Sequence, residues 1–475
     1  MKTQKKTLKK VPSGISGLDE ITGGGFPQGR PILICGSAGC GKTLFATQFL
    51  VKGITEFNEP GVFMSFEEST KDLAQNVESL GFDLEKLKAE KKLRIDHVYI
   101  ERSEIEETGE YDLEGLFIRL NHAIDAIGAK RVVLDTIESL FAGMTDLSVL
   151  RAEIRRLFRW LKEKGVTAVI TGERGDKTLT RQGLEEYISD CVILLDFRVI
   201  DQIATRRLRI VKYRGSTHGT NEYPFLIDEN GISVIPITSL KLDYRSSTEI
   251  ISTGLPALDK SFSMGGVYKG GSILVTGTAG TAKTILASYF ALSSCRRKER
   301  VLYFSFEESP DQLVRNMNSI GVNLKPLIKS KLLHIHASRP SLQGLEMHLL
   351  TLHKLLAEFN PKTVIVDPIS SLVTVGSFSE VRAMLVRLMD TLKVKQINAM
   401  FTSLTHRHDN EFNDATVDAV SSLADTWINL QNEDENFQRI RSLRIVKSRG
   451  MGHYNHQQNF IISDKGVQFL QLSKK

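Results

Sequence analysis

The chain has 475 residues, 41% of them apolar and 25% charged, which is ordinary for a soluble globular protein. Its net charge of +6 is too dilute over this length to indicate nucleic-acid binding, and no run approaches the roughly 18 apolar residues of a membrane-spanning helix. The lysine-rich start, Met1 to Lys10, lacks the apolar core of a secretory signal, and four cysteines without metal-ligand spacing indicate a cytoplasmic protein. We expect Met1 to Lys10 to be a solvated arm.

A glycine-rich motif follows an apolar run near the start of the chain. Ile32–Cys35 is the apolar run, and Gly36–Thr43 then fits G-x-x-x-x-G-K-[ST] at every fixed position before a helical stretch. A strand, loop and helix in this order form a phosphate-binding loop, whose N–H groups hold a triphosphate. Ile273–Thr276 and Gly277–Thr284 repeat the pattern, with Ala282 in place of the last glycine.

The two loops predict two Mg·ATP sites. We expect Lys42 and Lys283 to reach the β- and γ-phosphates, and Thr43 and Thr284 to bind Mg²⁺. Ala282 leaves two alternatives open for the second loop. Its methyl group crowds the loop if the backbone there needs a positive φ, and it is harmless if the residue is already helical.

Short apolar runs alternate with amphipathic stretches along the first half. Such alternation predicts an α/β fold, a mostly parallel sheet with helices on both faces. The end of the half predicts hairpin strands added to this sheet. The predicted strands are Val62–Phe66, Arg131–Leu134, Ala168–Thr171, Val192–Leu195, Arg206–Lys212, Phe225–Ile227 and Ile232–Ile235, and the predicted helices are Thr70–Leu80 and Leu147–Glu163.

Paired glutamates end the strand that follows each loop helix. Glu67-Glu68 and Glu307-Glu308 both stand in the sequence Phe-Glu-Glu-Ser. Beside a phosphate loop, such a pair can activate a water or hydroxyl for attack on the γ-phosphate. The alternative is an exposed pair at a helix start, where the helix dipole favours acidic residues. Recurrence at nearly the same distance from both loops favours the catalytic role.

Asp135 and Asp367 each end a further apolar strand. A carboxylate at that place beside a phosphate loop can orient Mg²⁺ and its waters. The alternative is an aspartate that caps the next helix. The upstream loops favour the metal role.

Two cations alternate along the last long strand of each half. Lys212-Tyr-Arg214 and Lys447-Ser-Arg449 place both cations on one face of a strand. This arrangement suits a γ-phosphate supplied by a neighbouring subunit, as with an arginine finger. The alternative, which spacing alone favours, is a solvated edge strand that carries protective charges.

All of these motifs recur 232 to 241 residues later in the chain. The period is far too long for a solenoid repeat and indicates duplication of a whole domain. The predicted domains are residues 1–238 and 239–475, with the linker within Thr238–Ile251.

Taken together, the motifs from about Ser13 to Lys465 resemble those of the KaiC family of circadian clock proteins. The resemblance implies two tandem RecA-like P-loop NTPase domains in a double-ring homohexamer, with ATP bound between subunits. It implies a slow ATPase in the first domain and a serine/threonine autokinase and autophosphatase in the second.

The resemblance also implies site residues. Ser79 and Ser319 match positions near the nucleotide base, Arg441 matches a cross-subunit contact, and Met451-Gly452 departs from the family's Ser-Trp. The implied Mg²⁺ ligands are Thr43, Asp135, Thr284, Glu307 and Asp367. The implied nucleotide contacts are Gly36, Ser37, Ala38, Gly39, Cys40, Gly41, Lys42, Thr43, Leu44, Ser79, Lys212, Tyr213, Arg214, Ser216 and His218, and then Gly277, Thr278, Ala279, Gly280, Thr281, Ala282, Lys283, Thr284, Ile285, Ser319, Arg441, Lys447, Ser448, Arg449 and His453.

The family's adjacent Ser and Thr phosphoacceptors fall at Ser421 and Ser422, so the second acceptor here is a serine. Both keep a hydroxyl, and Glu307 is the expected base. The alternative is an ordinary serine pair near a helix end.

The chain stops at Lys475, soon after Ile461–Gly466, without the tail that binds KaiA in the family's clock members. The resemblance therefore implies a protein without KaiA regulation, and a small KaiB-type partner on the first ring. Two other functions stay open: a RecA- or helicase-like ATPase driven by single-stranded DNA, and a nucleotide-gated scaffold. The sequence shows no basic-aromatic cluster of the kind that stacks bases, which disfavours the DNA-driven ATPase.

Overall fold

The computed structural model describes residues 8–98, 113–140, 147–175, 178–180, 183, 188–200, 203–236, 246–342, 344–405, 420–435 and 438–470. The chain divides into two compact units, Met1–Thr238 and Ser239–Lys475. The expected domain boundary, the first part of the expected linker and most of the lysine-rich start lie outside the described residues. Among the helices that the structure describes, none has both the length and the apolar character needed to cross a membrane.

The first unit alternates strands and helices, as the sequence predicts. Its strands are β1 (Lys10–Val11), β2 (Phe26–Pro27), β3 (Pro31–Gly36), β4 (Gly61–Ser65), β5 (Leu93–His97), β6 (Arg131–Asp135), β7 (Thr167–Glu173), β8 (Cys191–Ile200), β9 (Ile203–Tyr213), β10 (Glu222–Asp228) and β11 (Gly231–Val234). Its helices are Leu18–Thr22, Lys42–Phe57, Thr70–Glu78, Leu84–Ala89, Glu114–Ile127, Ile137–Leu140 and Leu147–Glu163.

Within the described residues, nine strands of the first unit form one sheet in the order β11-β10-β9-β8-β3-β7-β6-β4-β5. The six strands from β8 to β5 run parallel, and β9, β10 and β11 extend the sheet as antiparallel neighbours. The predicted α/β fold with hairpin additions is confirmed. β9 pairs with β8 along its length but with β10 only at Arg207, Leu208 and Arg209. Lys212 and Arg214 lie beyond this second pairing, so the solvated-edge alternative for them stays open.

The second unit repeats this architecture. Its sheet has the order β16-β15-β17-β18-β14-β19-β20-β21-β22, again with β20 inside the sheet. Its strands are β12 (Ile250–Ile251), β13 (Val267–Tyr268), β14 (Ser272–Gly277), β15 (Val301–Ser305), β16 (Leu333–Ala337), β17 (Thr363–Asp367), β18 (Asn398–Leu404), β19 (Thr426–Glu435), β20 (Gln438–Ser448), β21 (Gln458–Ser463) and β22 (Gly466–Phe469), and its α-helices are Pro256–Asp259, Lys283–Arg296, Pro310–Asn318, Lys325–Lys329, Leu345–Phe359 and Phe378–Val394, with 3₁₀ turns at Pro340–Leu342 and Ile369–Val375.

The expected solvated arm is wrong for its last residue. Lys10 begins β1, which pairs with β2. Its ammonium donates to the carbonyl of Thr22 at 2.5 Å and to Ser216 Oγ at 2.7 Å, and lies 4.7 Å from the centre of the Tyr213 ring. The arrangement depends on partners more than 200 residues away, which no local pattern shows.

One charged side chain lies wholly inside the first unit. Arg131, the first residue of β6, is 0% exposed. Its guanidinium donates to Glu59 Oε2 at 2.7 Å and to the carbonyls of Phe49 and Pro12 at 2.8 and 2.9 Å. It therefore ties the loop helix and the N-terminal segment to the sheet. The second unit carries Thr363 at this position, with its hydroxyl 2.9 Å from that of Ser294.

We predict that Arg131→Met destabilises the first unit by about 3–5 kcal/mol, because it leaves the Glu59 carboxylate and two buried carbonyls without their partner. Urea unfolding followed by Trp160 fluorescence, in a Trp427→Phe background, measures this. Lys130→Met at the exposed neighbouring position is the control, and we expect it to change the free energy of unfolding by under about 0.5 kcal/mol. Equal effects of the two changes would contradict the structural role of Arg131.

Candidate functional site

The carboxyl ends of the parallel strands bring the predicted catalytic residues together. In the first unit β3 leads into the loop Gly36–Thr43, β4 is followed closely by Glu67, and β6 ends at Asp135. In the second unit β14 leads into the loop Gly277–Thr284, β15 is followed closely by Glu307, and β17 ends at Asp367. Parallel strands end at a common edge, so each unit gathers one loop, one aspartate and one glutamate pair there.

The loop lysines have the same geometry in both units. Lys42 Nζ donates to the carbonyls of Gly36 and Ser37 at 2.9 and 3.1 Å. Lys283 Nζ donates to those of Gly277 and Thr278 at 2.7 and 2.8 Å. Burial lowers the pKa of Lys283, and the nearby charges of Asp367 and Glu307 oppose that shift. These two carboxylates therefore lie within electrostatic range of the loop lysine.

The backbone at Ala282 has a positive φ, so the first of the two alternatives is the correct one. Ala282 has φ 86° and ψ 23°, and Gly41 has φ 102° and ψ 21°. The second loop thus keeps the shape of the first. An L-residue in this region costs about 1–2 kcal/mol, which the surrounding structure must offset.

Each predicted metal-binding aspartate is buried and hydrogen-bonded. Asp135 accepts from the Thr171 hydroxyl on β7. Burial raises the pKa of Asp135, while the hydroxyls of Thr171 and Thr43 oppose the shift, which places Thr43 against the carboxylate. Asp367 accepts from the Thr402 hydroxyl and, at 2.6 Å, from the Tyr303 hydroxyl.

A carboxylate beside a threonine hydroxyl is a pair of hard oxygen donors, which suits Mg²⁺. No group of three or more His, Cys, Asp or Glu side chains in the described ranges is placed to hold a metal. Mg²⁺ is usually bound through one or two carboxylates together with substrate phosphates.

The first glutamate of each pair is exposed but held by hydroxyls. Glu67 Oε1 accepts from Thr136 Oγ1 at 2.7 Å and from Ser139 Oγ at 2.5 Å. Glu307 Oε1 accepts from Ser371 Oγ at 2.9 Å, and Pro368 stands where the first unit has Thr136. Glu67 and Glu307 occupy equivalent positions in the two units but accept hydrogen bonds from different hydroxyl groups.

Glu308, the second glutamate of the pair in the second unit, is less exposed to solvent than Glu307. Burial and the charge of Asp367 raise the pKa of Glu308, while Asn316 opposes the shift. Its Oε2 atom is buried without a hydrogen-bond partner in the structure. Glu308 can therefore hold a proton more readily than an exposed carboxyl group.

The paired cations lie at the amino ends of the parallel strands, opposite the phosphate loop of their own unit. Because β9 and β20 run antiparallel to their neighbours, Lys212 and Lys447 are near the amino ends of the parallel strands. Lys447 Nζ donates to the carbonyl of Ser421 at 2.6 Å, and Arg449 donates to that of Ser422. The second pair of cations and the predicted phosphoacceptors are thus in direct contact.

This cluster is far from the phosphate loop of its own unit. The N–H of Asp425, just after the acceptor turn, donates to the carbonyl of Ser272 at the start of β14. The loop begins at Gly277, the end of that strand. Five residues of strand span about 17 Å at roughly 3.3 Å per residue.

The other predicted site residues are spread over both edges. Ser79 and Ser319 are exposed and end the helices Thr70–Glu78 and Pro310–Asn318. His218 Nδ1 lies 2.9 Å from the carbonyl of Gly219, and His453 Nδ1 lies 3.2 Å from that of Tyr454. Their contacts with a nucleotide stay predictions.

Arg441 lies at its own phosphate loop, where Nε donates to the carbonyl of Gly280 at 3.1 Å. The first unit has a counterpart that sequence reasoning missed. Arg206 stands 235 residues earlier, the same offset that relates Lys212 to Lys447. Burial raises the pKa of Cys40 in the first loop, and the charges of Lys42 and Arg206 oppose the shift. The constant offset of 235 residues between the two copies is the feature of the sequence that identifies Arg206 as this counterpart.

A family model described as "ATPase: KaiC" matches residues 11–239 and, a second time, residues 251–474. The chain is 57% identical over 469 residues to the circadian clock protein KaiC2 of Synechocystis sp., an alignment that covers 99% of this chain and 83% of that relative. It is 38% identical over 463 residues to the circadian clock oscillator protein KaiC of Thermostichus vulcanus, covering 97% and 89%. The Synechococcus elongatus oscillator protein KaiC is 37% identical over 466 residues, covering 98% and 89%.

We predict that Ala282→Gly stabilises the second unit by about 1 kcal/mol, because glycine adopts the positive φ without the steric cost. The reciprocal change Gly41→Ala should destabilise the first unit by a similar amount. Its new Cβ would also lie 3.1 Å from Ile227 Cδ1. Urea unfolding of the nucleotide-free chains measures both, and a destabilising Ala282→Gly would contradict the strain.

We predict that Asp135→Asn makes the nucleotide-free first unit more stable at pH 7. The folded-state pKa of Asp135 is raised by burial, so its stabilising contribution is complete only at low pH and is lost as the pH rises through that pKa. The asparagine removes this loss, so the advantage should shrink between pH 7 and pH 4. Exposed Asp125→Asn is the control in the same urea titrations. An advantage that grows toward acid would reverse the assigned shift.

Proposed function

Because the chain belongs to the KaiC family of ATPases, we propose that it binds Mg·ATP at both phosphate loops and acts as both ATPase and autokinase. The first unit, residues 1–238, hydrolyses ATP. The second, residues 239–475, transfers the γ-phosphoryl group to Ser421 or Ser422 and later removes it. The resemblance predicted from the sequence is confirmed at the level of the family.

One observation carries the proposal: the two halves of each reaction site lie at opposite edges of the same sheet. The loop, aspartate and glutamates are at the carboxyl edge, whereas Lys447, Arg449 and the serine pair are at the amino edge, beyond reach of their own loop. A second copy of the chain must therefore supply the missing half. A ring of protomers, such as the proposed homohexamer, meets this need at every interface.

In the second unit the transfer follows from the positions of these groups. A serine hydroxyl from one protomer attacks the γ-phosphorus of ATP bound to the next, the bond from that phosphorus to the β-phosphate oxygen breaks, and ADP leaves. Glu307 takes the serine proton. Lys283 spans the β- and γ-phosphates, and Lys447 and Arg449 accompany the serine and stabilise the transferring charge. Thr284 and Asp367 would hold Mg²⁺, which would supply positive charge against the phosphates.

In the first unit a water takes the place of the serine. Glu67 orients that water, and Lys212 and Arg214 of a neighbouring protomer stabilise the γ-phosphate. Two hydroxyls, those of Thr136 and Ser139, hold Glu67 Oε1 in position. A small KaiB-type protein is proposed as a partner of this unit.

Mixing two inactive variants tests transfer between protomers. Lys283→Ala removes the loop lysine but keeps the acceptors, and the double variant Ser421→Ala/Ser422→Ala does the reverse. We predict that neither alone gains phosphate at 421 or 422 with Mg·ATP, and that in mixed assemblies phosphate appears only on the Lys283→Ala chain. Intact mass and phosphopeptide mapping measure this.

Glu307→Gln in the acceptor-free chain supplies the control, because it should abolish the complementation by removing the base. Phosphate on the loop-competent chain alone, or transfer by a sample that stays monomeric with ATP, would refute a site shared between protomers. ATP consumption without phosphate at either serine would refute the autokinase.

A further inference from the structure

The acceptor turn is surrounded by three cations from two parts of the chain, the end of β20 and the last turn of a helix. The carbonyls of three consecutive residues each accept from a different side chain: Ser421 from Lys447 at 2.6 Å, Ser422 from Arg449, and Leu423 from Lys393 at 3.3 Å. Lys393 comes from the last turn of the helix Phe378–Val394. Its side chain is 14% exposed. It has no role in the site described so far.

These cations share one nearby carboxylate. Asp425 Oδ1 accepts from Lys393 at 3.1 Å and lies 4.0 Å from Arg449. Its other oxygen already accepts from the N–H and hydroxyl of Ser272, at 2.9 and 2.8 Å. The charge of Lys393 also acts on Asp390, three residues earlier on its helix. Three cations against these two carboxylates leave one positive charge in excess.

The charges of the cluster act on Lys447 in opposite directions. Burial lowers the pKa of Lys447, and the charges of Arg449 and Lys393 lower it further, although Asp425 opposes them. A phosphoserine carries a charge of about −1.5 to −2 and offers three acceptor oxygens. Such a group supplies negative charge that the cluster lacks.

We propose that Lys393, Lys447 and Arg449 form a binding site, within the same chain, for the phosphate that Ser421 or Ser422 carries. The inference rests on the proposed autokinase activity and adds what happens to the product. The cations exchange their carbonyl acceptors for phosphate oxygens, so that the phosphorylated turn stays docked on the sheet. Lys393 would contribute by donating hydrogen bonds to the bound phosphate.

The first unit supports the pairing of these cations with an anion. Lys162 Nζ donates to Asp190 at 2.9 Å and Arg214 lies 3.8 Å from the same carboxylate, at the positions of Lys393, Asp425 and Arg449. Four residues before each aspartate, the sequence has Glu186 in the first unit and Ser421 in the second. Glu186 lies outside the described residues. By sequence, the first unit has a permanent carboxylate where the second has a hydroxyl that can gain a charge.

Phosphoserine inserted at position 421 or 422 during translation tests the site in the full chain. The ³¹P NMR shift, followed against pH, reports the second pKa of the phosphate, ordinarily about 6. We expect it about one unit lower at one position or both, since nearby cations favour the dianion. Lys393→Gln should remove most of this lowering and return the phosphate pKa toward about 6, whereas Lys393→Arg should retain the lowered value.

Lys395→Gln is the matched control. It removes one charge two residues away, from an exposed side chain at the end of the same helix. Lys395 lies near His353, whose pKa is lowered by burial and then by this charge. If Lys393→Gln and Lys395→Gln change the phosphate pKa equally at both positions, or if neither phosphate shows a lowered pKa, the proposed site is refuted.

One further measurement and one comparison keep the result interpretable. Thermal unfolding of the unphosphorylated variants shows whether Lys393→Gln folds, and if it does not, a normal phosphate pKa in the Lys393→Arg chain would refute the site. Because the phosphate is inserted during translation, failed transfer in the mixing experiment refutes the autokinase alone, whereas an unshifted phosphate refutes the binding site alone.

Discussion

The direction of the strands is the constraint on which the site depends. β3 and β14 run parallel to their neighbours, so every group that follows these strands gathers at one edge. The last strands turn back antiparallel, and so they carry their cations to the other edge. No side-chain rearrangement brings the two edges of one sheet together. An active site that needs both must be shared between copies of the chain.

The two units differ where the same backbone carries different side chains. β4 has Phe63 where β15 has Tyr303, whose hydroxyl donates to Asp367 at 2.6 Å. Glu67 accepts from two hydroxyls and Glu307 from that of Ser371. The two units therefore share a fold and differ in the hydroxyls around their acidic residues.

The amino edge of the second sheet connects catalysis with its product. Lys447 and Arg449 contact the backbone of the acceptor turn, so the groups proposed to stabilise the transferring phosphate also hold the residue that receives it. Asp425 and Lys393 keep this arrangement in place from the sheet and the last long helix. A phosphoryl group would thus meet the same cations before and after transfer.

The sequence by itself determined the fold class, the two loops and the family. These follow from local order: a strand, a glycine-rich turn and a helix are adjacent in the chain, and helical periodicity placed Leu147–Glu163 at the bounds that the structure shows. Burial of apolar runs and the spacing of the loop residues act over a few residues at a time, which is why a single sequence reveals them.

Only the tertiary structure decided what depends on distant partners. The burial of Arg131 is set by carbonyls and a carboxylate from two other segments, and the place of Lys10 by residues at the far end of its unit. The cations around Ser421 come from a helix and a strand that are separate in the chain. These cations lie together because of the order of the strands in the sheet, and the local pattern of residues does not determine that order.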